Sequence, residues 1–281
     1  MRRQKEYREL TFTDDFLFCK ILQNNPDICR ELVELLLGRK IARICSSEKQ
    51  KTIDITPDGK GVRLDVYFDD ETGVVYDIEM QTNNTGNIPK RSRYYQGVVD
   101  LDLINAGADY NDLKRTYIIF INLFDLFHEG LPRYTFENRC LEKPGLRLND
   151  ETFKVFINAR SQLGAMSPDL REILAYLCGA LPKSNLSVRI QGEVDRARSN
   201  EDWEVSYMTL YHKYREMFTE GKEEGRAEGR AEGRAEGRAE AWTEIIQKLH
   251  DKGMPLDDIV RFTGESLDNV TNILTQDNNL E

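Results

Sequence analysis

The sequence has few of the residues that build zinc clusters or disulfide frameworks. Its five cysteines include no Cys-x-x-Cys pair, and its three histidines, His128, His212 and His250, are scattered. This scarcity excludes a clustered zinc site of the usual spacing. An odd cysteine count, together with a charged N-terminus that no apolar stretch follows, indicates reduced thiols, and we expect a cytoplasmic protein.

Long apolar runs are also missing. The longest run, residues 117–124, is far shorter than the roughly 20 residues that span a bilayer, so we expect a buried strand and no membrane association. The net charge of -10 argues against a protein that coats nucleic acid without specificity. It leaves room for a nucleic-acid site, because phosphate contacts need only a local basic patch.

Two neighbouring segments, residues 62–68 and 74–81, predict a β-hairpin. Apolar residues alternate with other residues in both segments, and Gly73 suits the left-handed position of the connecting turn. The register gives an apolar face with the pairs Phe68–Tyr76, Val66–Ile78 and Leu64–Met80. The other face carries the pairs Tyr67–Asp77, Asp65–Glu79 and Arg63–Gln81.

The predicted register places the carboxylates of Asp65 and Glu79 side by side. Like charges directly opposite each other destabilise a sheet unless something offsets them. A divalent cation offsets them, and hard cations take oxygen ligands. The alternative interpretation of the two acids is the polar face of a half-exposed hairpin.

The remaining pattern predicts an α/β domain with a mixed sheet flanked by helices. In chain order it predicts a helix over 11–37 with a break at 24–26, a short strand at 52–55, and a helix over 90–106 ending at Gly107. Strands follow at 117–124 and 153–157, on either side of a loop-like stretch at 128–150. The region 168–218 is predicted to be helical, with breaks at Pro168 and Pro182.

Residues 225–240 are four copies of Gly-Arg-Ala-Glu, preceded by the near-copy 221–224. A helix brings like charges together at this four-residue spacing, and each glycine costs about 1 kcal/mol relative to alanine. The sequence therefore predicts a solvated spacer or frayed helix, with a helix held by a partner as the alternative.

The last segment, 241–276, has the apolar pattern of a small helical tail with turns near Gly253 and Gly264. We favour a packing or oligomerisation unit over a DNA-reading helix-turn-helix, because the last helix carries no Arg or Lys. The predicted divisions are a domain over 8–218, the repeat over 219–240 and the tail over 241–281.

An Asp on one strand followed by Glu79-Met80-Gln81 on the next resembles the PD-(D/E)XK nucleases. Together with the segments 14–21, 91–95 and 117–123, the order is similar to the Rpn family of recombination-promoting nucleases, also called PD-(D/E)XK transposase-like proteins. The resemblance extends over about residues 8 to 276. It implies a restriction-endonuclease-like core that cleaves DNA with Mg²⁺ or another divalent cation, in recombination or mobile-element biology.

The resemblance also implies roles for particular residues. Asp65, Glu79 and the Met80 carbonyl are the expected metal ligands, and Gln81 stands where the superfamily usually has lysine. Glutamine orients water but brings no charge, so slow activity, or a degenerate protein that only binds nucleic acid or protein, is the alternative.

A further acid and a basic cluster complete the implied site. Asp15 would position metal or water, unless it is only a helix N-cap. DNA contacts would come from Lys90, Arg91, Arg93 and Tyr95, unless this cluster is a solvated helix face. We also expect possible self-association through the repeat and the tail.

Overall fold

The structure is a computed structural model that describes residues 5–48, 52–53, 62–162 and 166–276. Its strands are β1 (Ile44–Glu48), β2 (Thr52–Ile53), β3 (Val62–Arg63), β4 (Val66–Asp70), β5 (Val75–Gln81), β6 (Thr116–Asn122), β7 (Arg133–Phe136) and β8 (Thr152–Asn158). Its α-helices are α1 (Asp15–Asn24), α2 (Pro26–Leu37), α3 (Ile88–Leu103), α4 (Pro168–Leu177), α5 (Asn185–Arg198), α6 (Glu201–Asp251), α7 (Leu256–Thr263) and α8 (Leu267–Gln276).

A mixed sheet with the strand order β1-β4-β5-β6-β8-β7 forms the centre of the described fold. The strands β5, β6 and β8 are parallel to one another, whereas β1, β4 and β7 join by antiparallel pairing. The parallel strands require crossover connections, and α3 provides the one between β5 and β6. The predicted α/β class with a mixed sheet is confirmed.

Strand β5 lies between β4 and β6, and all seven of its residues are buried. On one face, α3 packs against apolar side chains of the sheet, including Ile118, Phe120 and Phe156. On the other face, rings stack across four neighbouring strands, in the order Phe68, Tyr76, Tyr117 and Phe153. Polar side chains on this strand therefore lie inside the protein, and the half-exposed hairpin considered above is wrong.

The predicted hairpin is correct near its turn and wrong at its far end. Gly73 has a φ of 77°, and the ladder contains the predicted pairs Val66–Ile78, Tyr67–Asp77 and Phe68–Tyr76. Strand pairing then stops, because the chain bends at Asp65. Beyond the bend, Arg63 pairs with Thr52 of β2 instead of Gln81. The predicted strand at 52–55 is confirmed for Thr52–Ile53, and its other residues lie outside the described ones.

The helices largely follow the prediction, although α5 and α6 are separated at residues 199–200, where no break was predicted. The break before Pro26 separates α1 from α2, and the segment around Pro182 separates α4 from α5. Helix α3 ends at Leu103 instead of continuing to Gly107, because Ile104 is already extended. Gly107 has a φ of 85° and lies in the turn that follows.

Two edge strands were absent from the prediction. Strand β7 falls in the stretch predicted as loop, and it forms by antiparallel pairing with β8. Strand β1 pairs with β4 at the opposite edge. Both strands depend on long-range pairing. The sequence of β1 lacks the apolar alternation that marks a half-buried strand, and β7 shows it over only four residues.

The chain divides into two compact units, one ending at Tyr207 and one beginning at Met208. In the second unit the repeat is helical as part of α6, and residues 221–240 are all exposed. The tail has a small core of Ile246, Ile259 and Val270, and the predicted turns precede α7 and α8. None of the helices among the described residues combines the length and the apolarity needed to cross a bilayer.

Candidate active site

Asp65 and Glu79 meet at the bend that ends the hairpin ladder. The backbone N–H of Asp65 donates to Glu79 Oε1 over 3.0 Å, and the backbone N–H of Met80 donates to Asp65 Oδ2 over 3.2 Å. Each carboxylate is therefore oriented by the backbone of the opposite segment. The sequence predicted that these two acids lie side by side as a strand pair. They do lie side by side, but each carboxylate accepts a hydrogen bond from the opposite backbone, and the two residues do not form a strand pair.

Arg91 reaches into this site from the second turn of α3. Its guanidinium donates to Glu79 Oε2 over 2.8 Å and to Gln81 Oε1 over 3.1 Å. Its Nε donates to the hydroxyl of Tyr95 over 3.0 Å, one helical turn further along α3. Arg91 therefore supplies the positive charge beside a carboxylate that is only 1% exposed.

Tyr95 is placed differently from the expectation. Its ring is 8% exposed and packs against Phe120, with 6.0 Å between the ring centroids. A ring in this position cannot stack on a base. The contact that Tyr95 makes in the site is its hydroxyl, which accepts from Arg91. Lys90 and Arg93 lie on the other side of α3, where both are exposed. In the basic cluster, Tyr95 is thus buried, Arg91 is partly exposed, and Lys90 and Arg93 face solvent.

Asp15 is the first residue of α1 and approaches Asp65 from outside the sheet. Asp14 occupies the N-cap position, and its carboxylate accepts from the Thr11 N–H over 2.7 Å. The N-cap alternative for Asp15 is therefore wrong. Asp15 Oδ2 accepts from Arg63 over 3.3 Å, and Oδ1 lies 3.7 Å from the Sγ of Cys19.

One group of candidate metal donors emerges from the described residues. Carboxylate oxygens of Asp15 and Asp65 and the sulfur of Cys19 lie within 4.8 Å of one another. Asp65 belongs to this group and also contacts the Glu79 side of the site. Carboxylate oxygens are the donors that Mg²⁺ and Mn²⁺ favour, so the residues present fit a divalent cation.

Asp77 is a further acid that the sequence prediction did not include. It lies two residues before Glu79 on the same face of β5, and it is fully buried. Neither of its carboxylate oxygens has a hydrogen-bond partner among the described residues. Its position on the acidic face follows from period-two alternation, but its burial depends on β6 and α3, which the hairpin pattern does not show.

Burial and mutual repulsion raise the pKa values of these acids. Burial raises the pKa of Glu79 to about 8, with Asp77 adding to the rise and the Asp65 N–H and Arg91 opposing it. Burial, followed by repulsion from Glu79 and Asp15, holds the pKa of Asp65 well above its usual range. Burial does the same to the pKa of Asp77. A bound divalent cation would replace protons that this cluster otherwise retains.

Buried acids on the central strand of a mixed sheet, with a further acid from the first helix, define an α/β protein of the PD-(D/E)XK type. The family described as PD-(D/E)XK nuclease family transposase matches residues 12–159, just over half of the chain, and the chain belongs to this family. The match runs from before α1 to the end of β8, so it contains every site residue described above and excludes the repeat. No curated protein and no solved structure matches the chain.

Proposed function

We propose that this protein is a divalent-metal-dependent DNA endonuclease that hydrolyses phosphodiester bonds with Mg²⁺ or another divalent cation. Family membership supports a nuclease with a role in mobile elements, and the Rpn-type link to recombination stays a prediction. The observation that carries the proposal is the position of Asp65 at the bend before β4, where its carboxylate lies near that of Asp15 and its backbone N–H donates to Glu79.

In this proposal Asp65 is the central ligand, with Glu79 and Asp15 on its two sides. The Met80 N–H donates to Asp65 Oδ2. In an extended strand the N–H and C=O of one residue point to the same side, so the Met80 carbonyl would also face Asp65, which supports its proposed role as a ligand. The bound ion would supply an activated water and neutralise charge that develops on the phosphate.

Gln81 and Arg91 act on the substrate side of the same centre. Gln81 Oε1 accepts from Arg91, which leaves the amide hydrogens of Gln81 to orient a water or a phosphate oxygen. Arg91 holds Glu79 in place before substrate arrives. Because a guanidinium also pairs with phosphate, it can transfer part of this contact to the scissile group.

The exposed cations of α3 would hold the rest of the DNA backbone. Lys90 and Arg93 are three residues apart and therefore lie on one face of the helix. Contacts of this kind position the duplex without reading its sequence, and their contribution falls as salt concentration rises.

A nicking assay tests the proposal directly. Supercoiled plasmid is incubated with Mg²⁺ and either the wild-type chain, Asp65→Asn, or the matched control Glu71→Gln, which changes an exposed acid in the turn of the same hairpin. We expect Asp65→Asn to lose cleavage and Glu71→Gln to retain it. Equal nicking rates for the wild type and Asp65→Asn would reject the assignment.

A second candidate is a degenerate nuclease that binds DNA or protein without cleaving. The contact that favours it is the ion pair of Arg91 with Glu79, because a guanidinium at this carboxylate competes with a metal ion. Gln81 in the usual place of lysine points in the same direction. Calorimetry that detects DNA binding but no Mg²⁺ or Mn²⁺ binding would favour this candidate over the endonuclease.

The division into a nuclease-like domain over 8–218, a repeat over 219–240 and a tail over 241–281 remains part of the proposal. We propose the repeat and the tail as the segment through which copies of the chain associate. Light scattering on the full chain and on a chain that ends at Phe218 tests this role. An unchanged oligomeric state after truncation would remove it.

A further inference from the structure

Cys19 stands beside the proposed catalytic ion although nothing in the endonuclease mechanism uses it. It lies four residues after Asp15 on α1, so the two side chains share one face of the helix. Its Sγ is 3.7 Å from Asp15 Oδ1 and belongs to the same donor group as Asp65. Three donors from two separate elements therefore converge on one point, and one of them is sulfur.

The spacing of the thiol and Asp15 fits ligation of a single ion. Oxygen and sulfur ligands on one zinc-sized ion bind at about 2.0 and 2.3 Å, so they can be up to about 4.3 Å apart. The separation of the thiol and Asp15 Oδ1 is within this limit. The other oxygen of Asp15 accepts from Arg63, so an ion beside the thiol need not displace that contact.

The neighbouring carboxylate, that of Glu79, already accepts a hydrogen bond at each of its oxygens. Glu79 Oε1 accepts from the Asp65 N–H, and Glu79 Oε2 accepts from Arg91. An ion that enters while Arg91 remains in place therefore meets Asp65 together with Asp15 and Cys19. The entry side is open, because the Asp15 side chain is 55% exposed.

We propose that Asp15, Cys19 and Asp65 form a mixed carboxylate–thiolate site that binds a thiophilic divalent transition metal, of the Co²⁺ and Zn²⁺ class, more tightly than Mg²⁺. Mg²⁺ requires oxygen ligands in octahedral geometry, whereas a thiolate selects softer ions. On binding, the thiol releases its proton to solvent as the sulfur–metal bond forms. The site shares Asp65 with the proposed nuclease centre, and so this inference specifies the ion class of that centre.

Cobalt is the probe, because a thiolate ligand gives Co²⁺ a charge-transfer absorption that oxygen ligands do not. The full-length wild-type chain, freed of metal with a chelator, is titrated with Co²⁺ alone and then with Mg²⁺ as competitor. The test variant is Cys19→Ser, and the matched control is Cys29→Ser, since Cys29 is equally buried but lies in α2 outside the donor group.

We expect the band in the wild type and in Cys29→Ser, and no band in Cys19→Ser. Co²⁺ affinity of Cys19→Ser should fall by at least the roughly 10–100-fold that loss of an outer-shell partner costs. Mg²⁺ should compete for the site only in large excess in the wild type. Co²⁺ binding that depends on Asp65 but shows no thiolate band, or a band that survives in Cys19→Ser, would overturn the inference.

Because Cys19 is buried, the exposed acid offers a second variant that keeps the proposal testable if Cys19→Ser does not fold. Asp15→Asn should lower Co²⁺ affinity by a similar factor, and full retention of affinity contradicts the site. The readout is independent of cleavage. A cobalt–thiolate band in a chain that does not nick plasmid supports this site and contradicts the endonuclease proposal, whereas nicking without the band does the reverse.

Discussion

Strand β5 and the Gly-Arg-Ala-Glu repeat both carry regularly spaced acids, but they treat charge in opposite ways. Asp77 and Glu79 of β5 are 0% and 1% exposed, and Arg91 is the cation that pairs with Glu79. In the repeat, every Glu and Arg is exposed on α6. Burial of a charged side chain costs free energy and fixes its geometry through its few partners. A solvated charge costs little and contributes little to stability, so its substitution has a small effect.

This difference indicates where function resides. An acid that lowers stability persists on a central strand when its chemistry is needed, which is the usual trade between stability and activity. Solvated charges of both signs keep a helix soluble without specifying a site. The predictions that follow apply similar changes to the two regions.

The largest contrast should come from Glu79→Gln set against Glu228→Gln. We expect Glu79→Gln to reduce metal-dependent plasmid nicking about 10³-fold, equivalent to about 4 kcal/mol in activation free energy, because it removes a charged ligand. Its metal-free unfolding free energy should rise at neutral pH, because a buried acid disappears. Glu228→Gln should change neither quantity. Nicking within a few-fold of wild type for Glu79→Gln would place the chemistry elsewhere.

The next effect concerns the cation that holds the buried acid. Arg91→Met leaves the ionised form of Glu79 without its counter-charge, and we expect about 2 kcal/mol of lost stability in urea unfolding at pH 9, above the raised pKa of Glu79. This is less than the roughly 3–5 kcal/mol of a fully buried pair, because Arg91 is partly exposed and Glu79 can take up a proton. Arg93→Met, on the exposed face of the same helix, is the control and should be near neutral.

A double variant separates the ion pair from simple packing. In Arg91→Met combined with Glu79→Gln no buried charge is left unpaired, so we expect most of the lost stability to return. If the double variant is as unstable as Arg91→Met alone, the loss comes from packing of Arg91 on Tyr95 and Phe120, whose ring centroids are 5.1 and 5.6 Å from its guanidinium carbon.

The raised pKa values of the buried acids predict that the stability of the chain depends on pH. The folded chain keeps a proton on Glu79 up to a pKa of about 8, whereas the unfolded chain releases it near 4.5. The folded state therefore binds more protons in this window, and the unfolding free energy falls as pH rises from about 4.5 to 8. The slope reaches about 1.4 kcal/mol per pH unit for each such group, and Asp65 and Asp77 act in the same direction.

Urea unfolding of the metal-free chain at pH 5, 6, 7 and 8 checks this slope. Glu79→Gln should give a shallower decline, and saturating divalent cation should flatten it further because the ion replaces the retained protons. A wild-type profile that is flat across this range would show that the acids ionise without penalty, and the contrast with the solvated repeat would disappear.

The sequence predicted the part of the site that local pattern controls. Period-two alternation and Gly73 set the ladder from Val66 to Phe68, and this register brought Asp65 next to Glu79. The bend at Asp65 was not predictable from the same pattern. It depends on a carboxylate that accepts from a backbone N–H fourteen residues away, which competes with continued strand pairing.

Tertiary packing decided what the sequence left open. Helical spacing puts Arg91 and Tyr95 on one face of α3, but only packing on the sheet shows that this face points inward. The strand β7 likewise exists through its pairing with β8. The four-residue spacing of Asp15 and Cys19 could be read from the sequence. The proximity of Asp65 to both depends on the tertiary fold, so the donor group could not be predicted.

The smallest predicted effect tests the repeat itself. Gly233 lies inside α6, and a Cβ added there meets no atom within 4 Å. Alanine should therefore stabilise the helix by about 1 kcal/mol, the ordinary difference in helix propensity, without changing plasmid nicking. Hydrogen exchange of the repeat amides measures the gain, and Gly229→Ala, four residues earlier, serves as a replicate with the same expectation.

The opposite result at Gly233 would be equally informative. If alanine weakens the helix or lowers the oligomeric mass in light scattering, the glycine stripe lies against another backbone, because only a close approach penalises an added methyl group. The repeat would then be a helix held by a second chain and not a solvated spacer. In that case its charges would contribute to pairing, and the contrast with β5 would be one between a proposed catalytic strand and a helix surface that binds a second chain.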